Sequence, residues 1–264
     1  MESPIILKLG GSVITHKDTS PPIINEQSLL RIAEEIKSYK GKVVIVLGGG
    51  AHGHQAAHLY GFGNHNTPKN QLLAGIPHIR HNMSLLALEV ESVLNNEGIS
   101  TIVIPPFTVA ALRNESIQDF SLSTMKKALQ NGLTVLTHGD VCFDEEKGAS
   151  ILSGDTIVVY LAQQLDAKSV YIGTDVDGVL DDDPNLNPAA KHIPVINNSN
   201  KEEILSKTGP SMSTDVTGGM TKKVDELFEL ARSDRDIIIF NLTVPNRLKA
   251  LLLGNPIVCT RIMP

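Results

Sequence analysis

Short apolar runs rich in β-branched residues recur along the chain, at residues 5–9, 42–47, 101–104, 133–137, 169–172 and 236–240. Their length and composition predict buried strands. Between the first two, Leu29, Ile32, Ala33 and Ile36 recur at helical spacing with Glu34, Glu35 and Lys37 between them. That pattern predicts a helix lying on the sheet. Residues 71–97 form a longer helical region whose apolar side chains, among them Leu72, Leu73, Ile76, Met83, Leu85, Leu86, Leu88, Val90 and Leu94, are too many for one core-facing stripe. Residues 144–148 read as a hairpin tip and 181–188 as an exposed, turn-rich loop. Strands alternating with helices predict an α/β fold, an open and mainly parallel sheet sandwiched by helices. Neither an internal repeat nor a low-complexity linker divides the pattern, so residues 1–264 are expected to form one domain.

Composition narrows the function. Of the 264 residues, 41% are hydrophobic and 20% charged, which excludes a disordered or fibrous chain. The net charge of −6 argues against nucleic acid as partner, since binding a phosphate backbone needs a concentrated basic face. A small anion stays open, because a few local lysines outweigh a distant net charge. Cys142 and Cys259 are too few for a disulfide framework or a Cys-rich zinc site and are expected to be reduced. With no signal-peptide pattern and no apolar run approaching the roughly 20 residues that span a bilayer, the expectation is a cytoplasmic protein without a membrane partner.

Five segments carry candidate chemistry. Lys8-Leu9-Gly10-Gly11-Ser12 closes the first predicted strand. Its glycines let backbone N–H groups approach phosphate oxygens, and Lys8 adds positive charge; a tight strand-to-helix turn explains the same residues. Gly48-Gly49-Gly50-Ala51-His52-Gly53-His54 follows the second strand, where a glycine cluster before a helix suits an anion at the helix N-terminus. It matches neither the dinucleotide fingerprint nor a P-loop. His54 and His58 would share a helix face, but with no acidic ligand beside them a metal site is disfavoured. His58 and His65 read as surface residues, and His54 as a hydrogen-bond donor to a substrate phosphate. Ser153-Gly154-Asp155-Thr156 precedes an apolar helix; Asp155 either caps it or holds lysine ammonium groups in position. Gly173 to Val179, containing Asp175 and Asp177, and Thr214 to Met220, with Gly219 and then Lys222 and Lys223, complete the set.

In order and spacing these segments resemble the amino acid kinase superfamily, and within it the isopentenyl phosphate kinase branch. The likeness runs from Lys8 to the region of Arg261 and includes the Gly-Asp-Val of residues 139–141. It implies an amino acid kinase-like fold whose N-terminal part binds the acceptor and whose C-terminal part binds ATP. Lys8, Leu9, Gly10, Gly11, Ser12 and Gly50 would then contact the nucleotide phosphates, and Lys17 the transferring phosphoryl. His54, with Gly49 and Gly154, would grip the acceptor phosphate; Asp155 would orient the lysines. Asp175 and Gly219 would belong to the nucleotide side, and Lys223, or its neighbour Lys222, would meet the terminal phosphates. Two positions depart from the family: Leu47 stands where a histidine is usual, and His52 where an aromatic is. Fosfomycin kinases share the Gly-Gly-Gly-Ala opening and the same final histidine, so this segment alone leaves the acceptor undecided.

The function expected from the resemblance is transfer of the ATP γ-phosphoryl group to isopentenyl phosphate, with Mg²⁺ carried by the nucleotide rather than by protein ligands. Other readings are a kinase of another small phosphate or phosphonate, such as fosfomycin, and a nucleotide-binding regulatory or storage protein. The five-carbon tail needs an apolar slot, for which Met83, Leu86, Val90 and Ile151 are the candidates. The family also implies a homodimer.

Overall fold

The computed structural model describes residues 3–16, 19, 22–64, 66–182, 187, 189–207 and 219–264. In chain order they form β1 (Ile5–Leu9), α1 (Gly11–Ile14), α2 (Glu26–Lys37), β2 (Val43–Leu47), α3 (Gly50–Leu59), α4 (Lys69–Asn96) and β3 (Thr101–Val103). There follow β4 (Ala110–Arg113), β5 (Ser116–Phe120), α5 (Ser123–Gln130), β6 (Thr134–His138), β7 (Asp140–Asp144), β8 (Gly148–Leu152) and α6 (Gly154–Gln164). The last part holds β9 (Ser169–Thr174), β10 (Val179–Leu180), β11 (His192–Ile193), β12 (Val195–Ile196), α7 (Lys201–Lys207), α8 (Gly219–Phe228), β13 (Asp236–Asn241), α9 (Arg247–Leu252) and β14 (Cys259–Ile262).

The main sheet runs β12-β14-β13-β9-β1-β2-β6-β3. Every neighbouring pair is parallel except β13 with β14. All six predicted strands lie in it. Successive residues of its central strands enter opposite cores: Leu7, Leu9, Ile45 and Leu47 pack under α2, α4 and α9, while Ile6, Val44 and Val46 pack under α5, α6 and α8. Burial on both faces is why these strands read as unbroken apolar runs. The chain passes from β1 to β2 on one side and later returns to place β9 on the other, so β1 lies at the topological switch point where open α/β sheets bind ligands.

Two smaller sheets were not foreseen. One pairs β10 with β11; the other orders β5-β4-β7-β8 and packs against α4. The predicted hairpin tip joins β7 to β8. Asp144 at that tip accepts N–H groups from Asn114, Glu115, Glu146 and Lys147 and the Ser150 hydroxyl. Burial alone would raise its carboxyl, but these donors hold it down at about 2. One carboxylate thereby locks two hairpins together.

Glu35, which falls between apolar positions of α2, is buried. It takes Arg31 of its own helix at 2.7 Å and accepts the N–H groups of Asn246 and Lys249 at 3.1 and 3.0 Å, capping the start of α9. The long α4 divides its apolar residues as its composition requires. Leu72, Met83, Leu86, Val90 and Leu94 enter the core, whereas Leu73, Leu85 and Leu88 face outward. No helix among the described residues is long and apolar enough to cross a membrane.

Because Leu86 is 0% exposed in the core beneath α4, Leu86→Ala should destabilise the fold by about 2–5 kcal/mol. Chemical denaturation with an unchanged m-value would show it, and a loss below about 1 kcal/mol would mean that this side chain is not packed as described.

Candidate active site

Alternation along β1 places Lys8 on the same face as Ile6, towards α6 and α8 rather than α4. Lys8 is the last residue but one of the strand and is only 7% exposed. Its Nζ stands 2.6 Å from Asp155 Oδ2, and Lys223 Nζ approaches the same oxygen at 2.8 Å. Asp155 does not cap α6: the cap is Ser153, whose Oγ accepts the Thr156 N–H at 3.0 Å. That leaves the carboxylate, in the first turn, directed at the lysines. Lys222 points elsewhere, with a half-exposed side chain 3.7 Å from Glu226.

The electrostatics follow from crowding charges out of water. Burial lowers the Lys8 ammonium, Asp155 opposes that, and Lys223 adds to it, leaving Lys8 at about 8. Burial alone would raise the Asp155 carboxyl, but Lys223 and Lys8 outweigh it and hold the group well below the usual carboxylate range. Among the described residues two ammonium groups thus share one carboxylate at the carboxyl edge of the sheet, with Glu226 within reach of their field.

Around this centre the glycine segments meet backbone to backbone. A β-carbon on Gly11 would lie 2.3 Å from the Gly50 nitrogen, and one on Gly154 would lie 3.1 Å from the Leu47 carbonyl and 3.4 Å from Lys8 Cε. Gly10 donates its N–H to the Gly173 carbonyl at 2.9 Å, bringing the turn that carries Asp175 beside β1. The N-terminus of α6 therefore opens beside Lys8, a position suited to an anion, and α3 starts against Gly11 of the adjoining turn.

Lys8, Gly154, Asp155 and Lys223 are in direct contact, and Leu9, Gly10, Gly11, Ser12, Gly49 and Gly50 lie where β1 passes into α1 and β2 into α3. Gly219 begins the helix that carries Lys223, and Asp175 is exposed beyond β9. His54 is half-buried on α3, with His58 exposed one turn later. His52 is buried, and burial lowers its pKa. Met83 lies against the second glycine segment: a β-carbon added to Gly49 would lie 3.6 Å from its Sδ, and one added to Gly53 3.2 Å. Leu86 and Val90 continue the same helix face into the core, and Ile151 is half-buried. Lys17, His65 and residues 214–218 lie outside the described residues.

A second charged cluster escaped the sequence reading. Arg80 on α4 pairs with Asp140, beside the fully buried His138. The Gly-Asp-Val of residues 139–141 was its only visible trace. Burial raises the Asp140 carboxyl to about 7 despite Arg80, and lowers His138 to about 4. Cys142 and Cys259 are buried and free, and burial pushes the Cys142 thiol up to about 12, leaving it inert.

Residues 3–241 match the amino acid kinase family. The chain belongs to the amino acid kinase family. It is 34% identical over 264 residues to an isopentenyl phosphate kinase of Methanothermobacter thermautotrophicus, covering 98% of each chain. An Arabidopsis thaliana isopentenyl phosphate kinase is 31% identical over 83% of this chain and 70% of its own length. A solved isopentenyl phosphate kinase superposes with a TM-score of 0.85 at 32% identity, over 98% of this chain and 99% of that one. For this amino acid kinase family member, the expected fold and family are thus both found.

A buried ammonium at about 8 makes a pH prediction. Lys8 is protonated below pH 8 and loses its charge above it, so kcat/KM for ATP should fall on the alkaline side with an apparent pKa near 8. Lys8→Arg keeps its charge throughout that range, and its residual activity should lack this alkaline limb. An identical limb in both proteins would assign the titration to another group.

Proposed function

We propose that the chain transfers the γ-phosphoryl group of ATP to a phosphate oxygen of isopentenyl phosphate, giving isopentenyl diphosphate and ADP, in the cytoplasm and as a homodimer. The observation that carries this reading is the buried Lys8–Asp155–Lys223 centre at the switch point of the sheet, in a chain similar over nearly its whole length to isopentenyl phosphate kinases. An acceptor phosphate oxygen is already ionised, so no strong general base is needed. Aligning the two phosphates in line and neutralising the charge between them is sufficient.

The bond that forms joins the acceptor oxygen to the γ-phosphorus, and the bond that breaks joins that phosphorus to the β–γ bridging oxygen, which leaves with ADP. Lys8 and Lys223 face the charge on the transferring group, and Asp155 holds both ammonium groups in place. Lys17 is assigned to the same group by resemblance. Mg²⁺ is assigned by resemblance as a partner of the ATP phosphates, where it would supply further charge neutralisation.

The N-terminal part, with Gly49, His54 and Gly154, takes the acceptor. His54 donates a hydrogen bond to its phosphate. The five-carbon tail lies towards Met83, with Leu86, Val90 and Ile151 behind. The C-terminal part, with Asp175, Gly219 and Lys223, takes the nucleotide. Outward-facing Leu85 and Leu88 on α4 support pairing of two copies.

Isopentenyl phosphate, dimethylallyl phosphate, mevalonate phosphate and fosfomycin, each with ATP and Mg²⁺, should be compared for ADP release. Isopentenyl phosphate should be preferred; preference for fosfomycin would redirect the assignment, and no release with any acceptor would favour a binding protein. His54→Ala should weaken acceptor use by about 1.5–3 kcal/mol in kcat/KM, with the ATP KM nearly unchanged, through loss of a charge-assisted hydrogen bond. His54→Gln, which keeps a donor, should retain more.

A further inference from the structure

The Arg80–Asp140 pair lies outside the phosphate-binding loops yet joins two elements that reach the site, α4 and the turn between β6 and β7. Asp140 is 2% exposed. Its Oδ2 pairs with Arg80 Nη1, and its Oδ1 accepts the Val141 N–H at 2.9 Å. His138 Nδ1 stands 3.7 Å from Oδ2 and 3.0 Å from the Gly139 carbonyl, closing the space behind the carboxylate. On its other side the Arg80 guanidinium covers the Phe107 ring, 5.2 Å from its centroid.

Two short covalent paths lead from this pair into the site. Along α4, Met83 follows Arg80 by one turn and sits against Gly49 and Gly53 of the acceptor loop. Between them Asn82 Nδ2 donates to the His52 carbonyl at 3.3 Å, tying α4 to α3. Along the other path, Asp140 follows Gly139, which donates its N–H to the Leu47 carbonyl at 3.0 Å. A β-carbon on Gly139 would lie 3.1 Å from the Gly154 nitrogen, next to Asp155. One end of the ion pair is therefore anchored beside the lysine–aspartate centre, and the other is on the helix that walls the acceptor loop.

We propose that Arg80 and Asp140 are positioning residues of the acceptor side, setting the spacing between α4 with its glycine loop and the Lys8–Asp155–Lys223 centre. The pair acts through Met83 and Gly154 rather than on either phosphate. This inference deepens the proposed function and rests on it. A bidentate-capable guanidinium stacked on an aromatic ring fixes a helix more rigidly than a lysine does. Small displacements of one substrate are costly to in-line transfer. Among the described residues the partners of the pair lie on α4, the β6–β7 turn and Phe107, so the nucleotide side, built on β9 and α8, should be indifferent to it.

The experiment uses the full-length protein, with isopentenyl phosphate and ATP as the varied substrates. Arg80→Met and Asp140→Asn should each raise the acceptor KM about tenfold or more and leave the ATP KM within about twofold. Arg80→Lys, which keeps the charge, should recover part of the loss. Absence of turnover in the wild-type protein would remove the functional reading and this inference together. Normal wild-type turnover with an unchanged acceptor KM in the folded variants sinks the inference alone. So does a parallel rise of both KM values, or failure of all three variants to fold, since either outcome marks a purely structural pair.

Discussion

Lys8 carries an ammonium group at the end of a strand buried on both faces, and the architecture around the site makes that placement tolerable. Removing such a charge from water costs several kcal/mol unless a partner is fixed beside it. Asp155 is that partner, and Lys223 shares the same carboxylate oxygen. Buried ionic clusters are a weak source of stability, and hydrophobic residues of equal volume often do as well. Two ammonium groups held together at the mouth of the sheet have their rationale in binding, as a counterpart to phosphate groups whose repulsion must be overcome during transfer.

The three charged residues come from β1, α6 and α8, so their convergence depends on how closely the helices seat on the sheet. The glycines determine this. Where Gly11 faces Gly50 no side chain fits between the backbones, and where Gly154 faces Leu47 a β-carbon would be tight. Close seating also brings the N-terminus of α6 beside Lys8. The same residues that read as phosphate loops thus act first as packing elements, and Gly10 and Gly48 give their own N–H groups to the Gly173 and Leu9 carbonyls in doing so.

Ties outside the centre keep the flanking parts in register. Glu35 of α2 caps α9, and Arg247, at the start of α9, pairs with Asp177 at 2.5 Å. Asp177 belongs to the turn that carries Asp175, so the nucleotide side is braced from α2 through α9. On the acceptor side the corresponding brace is the pair formed by Arg80 and Asp140. Each brace is a charged group with several partners, the arrangement that holds a fixed geometry better than apolar contact alone.

The strands of the main sheet, the helix on residues 26–37 and the long α4 were legible from local pattern, because burial on two faces or one leaves an unbroken run or a helical period in the sequence. The glycine segments and Lys8, Asp155 and Lys223 were legible as a set through their order along the chain. The edge elements were not: β4 and β5 are short and mixed in polarity, and β10 to β12 are two-residue strands that only their partners define. Glu35, Arg80, His138 and Asp140 were equally hidden, since a buried charge looks in sequence like any surface charge until its partner, 60 residues away for Arg80 and Asp140, is known. The choice of Lys223 over Lys222 to meet Asp155 was settled by the angular position of each on α8. Local hydrophobic pattern is written in neighbouring residues and so the sequence alone determined it; the pairing of distant charges depends on how whole elements pack, and only the tertiary structure decided it.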